Sequence, residues 1–185
     1  MNENQQDIII TPQQVLLNGQ PLPTIETGEA LLTELYKRFV GDYPNFYKMD
    51  TLCRLGFIGS ELLLQAEKSE RFLVKNDRMI IFANKSASIK NDTDYLQTIQ
   101  ADNYYPSPAL FVYTLPNIVT GEIAIRNNYR AESSFYVLQD EQTLQKLAQT
   151  TLQSVQTARS ALVGWVECEG KDNFYAHIKI VWKNW

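Results

Sequence analysis

Met79-Ile-Ile-Phe-Ala83 is an unbroken apolar run between a charged turn, Lys75-Asn-Asp-Arg78, and a polar loop, Asn84-Lys-Ser-Ala-Ser88. A strand with no polar alternation has no wet face, and such runs belong to parallel sheets covered on both sides by helices. Outward from it, Ala161-Leu-Val-Gly-Trp-Val166 repeats the pattern, and Ser134-Phe-Tyr-Val-Leu138 reads as another strand. Phe174–Trp182 alternates instead. Tyr175, His177, Lys179 and Val181 fall on one face, and Phe174, Ala176, Ile178, Ile180 and Trp182 on the other, as in a half-buried edge strand. The short turn Glu167–Asn173 makes it the antiparallel partner of the strand before it. Near the N-terminus Ile8-Ile-Ile10 and Val15-Leu-Leu17 are extended, Asn18-Gly19 is a turn, and Gln20–Pro23 is expected to be loop.

Helical spacing fills the intervals. Leu31, Leu32, Leu35, Tyr36 and Phe39 recur after an N-cap at Thr27 and stop at Gly41. Asp50 caps a helix in which Leu52, Leu55, Ile58, Leu62 and Leu63 share a face. Gly56, Gly59 and Ser60 inside it imply close packing against another element, since glycine there costs about 1 kcal/mol against alanine. Asp92–Gln100 predicts a helix with Tyr95, Leu96 and Ile99 inward. Ala109–Arg126 predicts a buried helix kinked or broken near Pro116 and Gly121. Asp140 and Thr143 start a helix over Leu144–Ala158. The pattern is α/β: a mostly parallel five-stranded sheet, helices on both faces, and an antiparallel C-terminal hairpin, in a single domain over residues 1–185.

Composition narrows the functions. The chain has 185 residues, 44% hydrophobic and 21% charged, with a formal charge of −4. That balance argues against nucleic acid, whose phosphates need clustered positive charge. The polar start Met1–Asp7 carries no apolar leader, and no apolar run approaches the ~20 residues that span a bilayer. A soluble, cytoplasmic protein is expected. A lone histidine, His177, argues against a histidine-rich metal site, and nothing calls for a cofactor. Cys53 in its helix reads as a small buried apolar residue. Cys168, between Glu167 and Glu169, has its thiolate disfavoured by like charge.

Three segments resemble the beta-ketoacyl synthase (3-oxoacyl-ACP synthase) family. Tyr47-Lys-Met-Asp-Thr-Leu-Cys-Arg-Leu-Gly56 resembles a family helix that begins with a basic-Met-Asp motif. The segment Pro106–Ile125, with its Pro-Asn and Gly-x-Ile-Ala-Ile elements, resembles the buried helix before the nucleophile strand. Ser160-Ala-Leu-Val-Gly-Trp-Val-Glu167 resembles a strand ending in Gly-x-Val-Glu. The resemblance implies the N-terminal half of a thiolase-like fold. It also places Glu141, flanked by Asp140 and Gln142, where active members carry a cysteine on a strand-to-helix turn. At such a turn the helix N-terminus lowers a thiol pKa. A carboxylate does not perform that thiolate's Claisen chemistry, and the resemblance assigns the histidines to a second half that this chain lacks. His177 matches no catalytic histidine of the family.

The resemblance therefore implies a non-catalytic partner or scaffold in fatty-acid-like, polyketide or polyene biosynthesis. The alternatives are a subunit of an acyltransferase site completed by another chain, or an acyl-chain binder between the helices at Asp50–Leu64 and Ala109–Arg126. In the family the strand matching Ser133, Ser134, Phe135, Tyr136, Val137 and Leu138 lies at a sheet edge and pairs across a two-fold axis. A homodimer, or a heterodimer with a complete ketosynthase, is the expected consequence, because an apolar, uncharged edge left open invites aggregation. Lys48, Arg54, Lys68, Arg71, Lys75, Arg78 and Lys85 are either solvated faces or a patch for an acidic acyl carrier protein. The aromatics at Tyr104, Tyr105, Phe111 and Tyr113 are expected in the core.

Overall fold

The computed structural model describes residues 6–67, 70–102 and 105–183. Lys68 and Tyr104, singled out above, lie outside them. Strands β1 (Gln6–Ile10), β2 (Val15–Leu17), β3 (Gln20–Leu22), β4 (Arg78–Asn84), β5 (Ser133–Val137), β6 (Ser160–Gly170) and β7 (Asn173–Trp182) form one sheet in the order β3-β2-β1-β7-β6-β4-β5. Helices α1 (Gly28–Phe39), α2 (Thr51–Ala66), α3 (Ile89–Leu96), α4 (Pro108–Val112), α5 (Ile118–Asn127) and α6 (Glu141–Ser154) complete it, with a 3-10 turn at Pro44–Lys48.

The class matches expectation, but the sheet has seven strands rather than five. Only β4 with β5 and β4 with β6 pair in parallel. Because β7 is antiparallel to both β6 and β1, the strands β1, β6, β4 and β5 still run the same way. The added pair is the hairpin β2–β3. Asn18 and Gly19 take positive φ of 52° and 73°, and this two-residue turn sets Leu17 opposite Gln20. Gln20–Leu22 is thus a strand and not the loop expected. Pro21 is accommodated because β3 is the outermost strand.

A second correction concerns β7. It lies inside the sheet, with His177 paired to Ile9 of β1 on one side and Trp165 of β6 on the other. Its alternation reports one apolar face and one face carrying charged side chains, which is also what an edge strand looks like in sequence.

The apolar face supports the larger core. Ile8, Ile10, Phe82, Leu162, Phe174, Ala176 and Ile178 pack beneath α1, α2 and α5. The small residues of α2 let it sit close: a Cβ on Gly56 would meet Val119 Cγ2 at 2.6 Å, and one on Gly59 would meet Ile178 Cδ1 at 2.7 Å. The other face packs Met79, Ile81, Ala83, Ala161 and Val163 against Leu144, Ala148 and Leu152 of α6.

Two helical predictions shift. α3 begins at Ile89, earlier than expected, and leaves Leu96 and Ile99 exposed at 63% and 51%. Polar anchors set its inner side instead. Ser88 donates to the Thr114 carbonyl at 2.7 Å and Asn91 to that of Leu110 at 2.7 Å. The stretch after it breaks into α4 and α5. Val119 and Ile123 are buried, whereas Phe111, Val112, Leu115, Tyr105 and Ile125 are exposed, so this apolar segment is not uniformly core.

Candidate functional site

The turn from β5 into α6 follows from its sequence. Asp140, extended at φ −159°, caps α6, its carboxylate accepting from Thr143 N–H at 2.7 Å and from the Thr143 hydroxyl at 2.8 Å. Glu141 is then the first helical residue, where a negative charge suits the helix dipole. Its side chain leaves the helix and lies over the sheet. Oε1 is 2.7 Å from His177 Nδ1 and 3.5 Å from Lys179 Nζ, while Gln145 donates to it at 3.2 Å. On the far side of the imidazole, Nε2 lies 3.2 Å from Asp7 Oδ2. Burial pushes the Glu141 carboxyl up, but the His177 and Lys179 contacts outweigh it and hold the group below the usual carboxylate range. The residue expected at the elbow is therefore an ionised, tethered carboxylate. Gln142 is exposed and takes no part.

Sequence reasoning missed that His177 touches Glu141. The alternation of β7 put His177 and Lys179 on one face, but nothing in the sequence said which helix covers that face.

β5 ends the sheet, so its outer edge carries no strand among the described residues. Ser133 and Val137 are exposed, Val137 at 59%, and Ser134, Phe135, Tyr136 and Leu138 are partly covered. Glu167, at the end of the Gly-x-Val-Glu segment, accepts from Lys85 N–H at 2.8 Å and Ser86 N–H at 3.2 Å. It fixes the loop that follows β4.

The remaining candidates resolve individually. Cys53 and Cys168 are buried, and burial pushes the first thiol well up and the second up to about 12, so neither is a ready thiolate. Arg54, Arg71 and Arg78 face carboxylates of Glu29, Glu61 and Glu67, and Lys75 lies over the Tyr129 ring. Lys48 and Lys85 stay exposed. Between α2 and α5, where an acyl chain was envisaged, the helices approach closely at Gly56 and Val119. Among the described residues no group of three His, Cys, Asp or Glu side chains is placed to hold a metal ion, and no helix is long and apolar enough to cross a membrane.

In comparisons by sequence, no family and no curated protein matches the chain. Comparison by structure is decisive for the fold. A chain in the complex of the ketosynthase ApeO with its chain length factor ApeC, from Xenorhabdus doucetiae, superposes at a TM-score of 0.61 and 16% identity, over 98% of this chain and 77% of that one. The ishigamide ketosynthase/chain length factor gives a TM-score of 0.67 at 15% identity, over 97% and 61%. The type II polyketide synthase complex AntDE:AntF, an acyl-carrier protein with its ketosynthase bound to the hexaketide, gives 0.59 at 13%, over 96% and 62%. The chain thus spans about three fifths of the latter two. The fold is ketosynthase-like, the class that the resemblance implied.

Proposed function

We propose that the chain is a ketosynthase-like partner subunit that performs no Claisen condensation itself and pairs with a ketosynthase in polyketide-like biosynthesis. One observation carries this reading. The β5–α6 turn, the place of the nucleophile by resemblance, presents Glu141 held by His177 and Lys179 rather than a thiol. An ionised carboxylate held by an imidazole nitrogen and an ammonium is a weak nucleophile, and the imidazole beside it is already engaged. Support for a partner comes from the open edge of β5, and from solved relatives in fold that are complexes of ketosynthases with chain length factors or an acyl-carrier protein.

The test has two arms. The pure chain, offered malonyl and acyl thioesters, is expected to give neither decarboxylation nor acyl transfer; turnover abolished by Glu141→Ala would overturn the proposal. Co-expressed with a ketosynthase from the same genome, it is expected to co-elute by light scattering at the summed mass. Val137→Lys should split that pair, and separate elution of the wild-type chains would remove the partner role.

A further inference from the structure

The sheet border at β5 is two layers deep. In the strand layer, Ile80 N–H donates to the Glu132 carbonyl at 2.9 Å and Leu138 N–H to that of Asn84 at 2.8 Å, so the even-numbered residues turn their backbone groups toward β4. Backbone groups alternate along a strand, which turns the N–H and C=O of Ser133, Phe135 and Val137 outward. Phe135 packs on the first core, and Val137, two residues on, points to the same face of the sheet. That is the face α5 covers, since its Val119 and Ile123 belong to the same core.

The helix layer has a free side. α2 packs on β1, β6 and β7, and α5 on β4 and β5, so α5 is the outer helix at this border. α5 meets α2 through Val119, whose Cγ2 is 2.6 Å from where a Cβ on Gly56 would be, and through Arg126, whose Nε is 3.3 Å from Glu61 Oε2. At about 3.6 residues per turn, Gly121 lies about 200° round the helix from Val119, and Ile125 about one turn beyond it, on the side away from α2. Ile125 is 73% exposed, and nothing lies within 4 Å of the missing Cβ of Gly121. The glycines of α2 differ, because Val119 and Ile178 occupy the space that Gly56 and Gly59 leave. Glycine inside a helix is unfavourable, and among the described residues no side chain uses the space left by Gly121.

A stable pair covers about 800 Å² on each partner. The five-residue edge of β5, about 17 Å long and about 10 Å deep, supplies roughly a fifth of that. The contact must therefore extend onto a neighbouring helix. On the opposite face α6 packs on β4 and β6 and turns Gln142, Gln145, Lys146 and Gln149 to solvent. α5 turns Gly121 and Ile125 outward, and an interface core is depleted of charge. The chains that superpose on this one do so over 96% to 98% of its length, so a partner of that fold brings its own counterparts of β5 and α5. We propose that the ketosynthase partner docks on both layers, its strand adding to β5 and its helix crossing α5 at Gly121. The inference rests on the partner role proposed above. Glycine at the crossing lets the two helix axes approach to about 8 Å, the near end of the usual range.

Gly121→Leu fills open space and replaces a poor helix former, so this variant is expected to fold with a urea midpoint at or above the wild type's. Ile125→Lys charges a position that is already 73% exposed. Ile25→Lys is the control, changing an apolar side chain 89% exposed between β3 and α1. In calorimetric titrations against the ketosynthase from the same genome, each α5 variant is expected to bind about tenfold or more weakly, as when one packed interface contact is lost. Ile25→Lys should bind as the wild type does. Wild-type affinity in both α5 variants, with a pair that Val137→Lys still splits, would overturn the helix contact and leave the partner role standing. Wild-type chains that do not pair would overturn both. A dimer of this chain alone, split by Gly121→Leu, would assign the surface to a second copy and overturn the ketosynthase as its occupant.

Discussion

At the scale of single residues, the sheet is shaped by which side chains are missing. The ring of Phe82 lies where a Cβ on Gly164 would be, with three ring carbons at 2.7 to 2.9 Å. Gly164→Ala forces that fully buried ring to move and is expected to cost about 1–3 kcal/mol, as overpacking does. Gly121 is the control, since nothing lies within 4 Å of its missing Cβ and its helix would gain from alanine. Gly121→Ala should raise stability by about 0.5–1 kcal/mol. Urea denaturation of both variants checks the pair, and equal effects would refute the packing argument. Small residues in α2 announced close packing from the sequence alone, and they deliver it. The Glu141–His177 contact was not legible, because 36 residues separate its members and their meeting depends on how α6 crosses β7.

At the scale of elements, caps and turns decide where helices begin. Asp50 accepts from Cys53 N–H at 2.8 Å at the start of α2, yet burial pushes its carboxyl up to about 6. A carboxyl whose folded value exceeds its ordinary 3.8 binds its proton more tightly when folded. The folded state therefore loses stability as pH rises from about 4 to about 6 through this group. Asp50→Asn keeps a good cap and cannot ionise, so its stability should be flatter across that window than the wild type's, measured by urea midpoints at each pH. An unchanged pH slope would show that Asp50 does not titrate there. Strand and helix identities were legible where apolar periodicity was clear, as in β4, β6, α1 and α2. It failed for α3, whose inner side rests on Ser88 and Asn91, and for the place of β7, where charged partners imitate a solvent face.

At the scale of the whole molecule, β4 and β6 contribute one face to each core: Phe82 and Leu162 to the first, Ile81 and Val163 to the second. Neither core can melt while the other keeps those strands. Unfolding is expected as one transition, with tryptophan fluorescence and far-ultraviolet circular dichroism coinciding in urea; separated midpoints would mean that α6 lets go on its own. The fold class was legible because buried strands and helical periods are local signals. The order of strands was not, because pairing is settled by long-range packing.

The two borders of the sheet are unequal. On one side β3 is three residues long and carries Pro21, which has no N–H to offer another strand. On the other, β5 contains no proline and exposes Val137. Strand addition is blunted on the first side and open on the second. A polymer grown by stacking sheets edge to edge needs two competent borders on every copy. This molecule has one, so whatever docks there ends the growth: the architecture permits a pair and resists a filament.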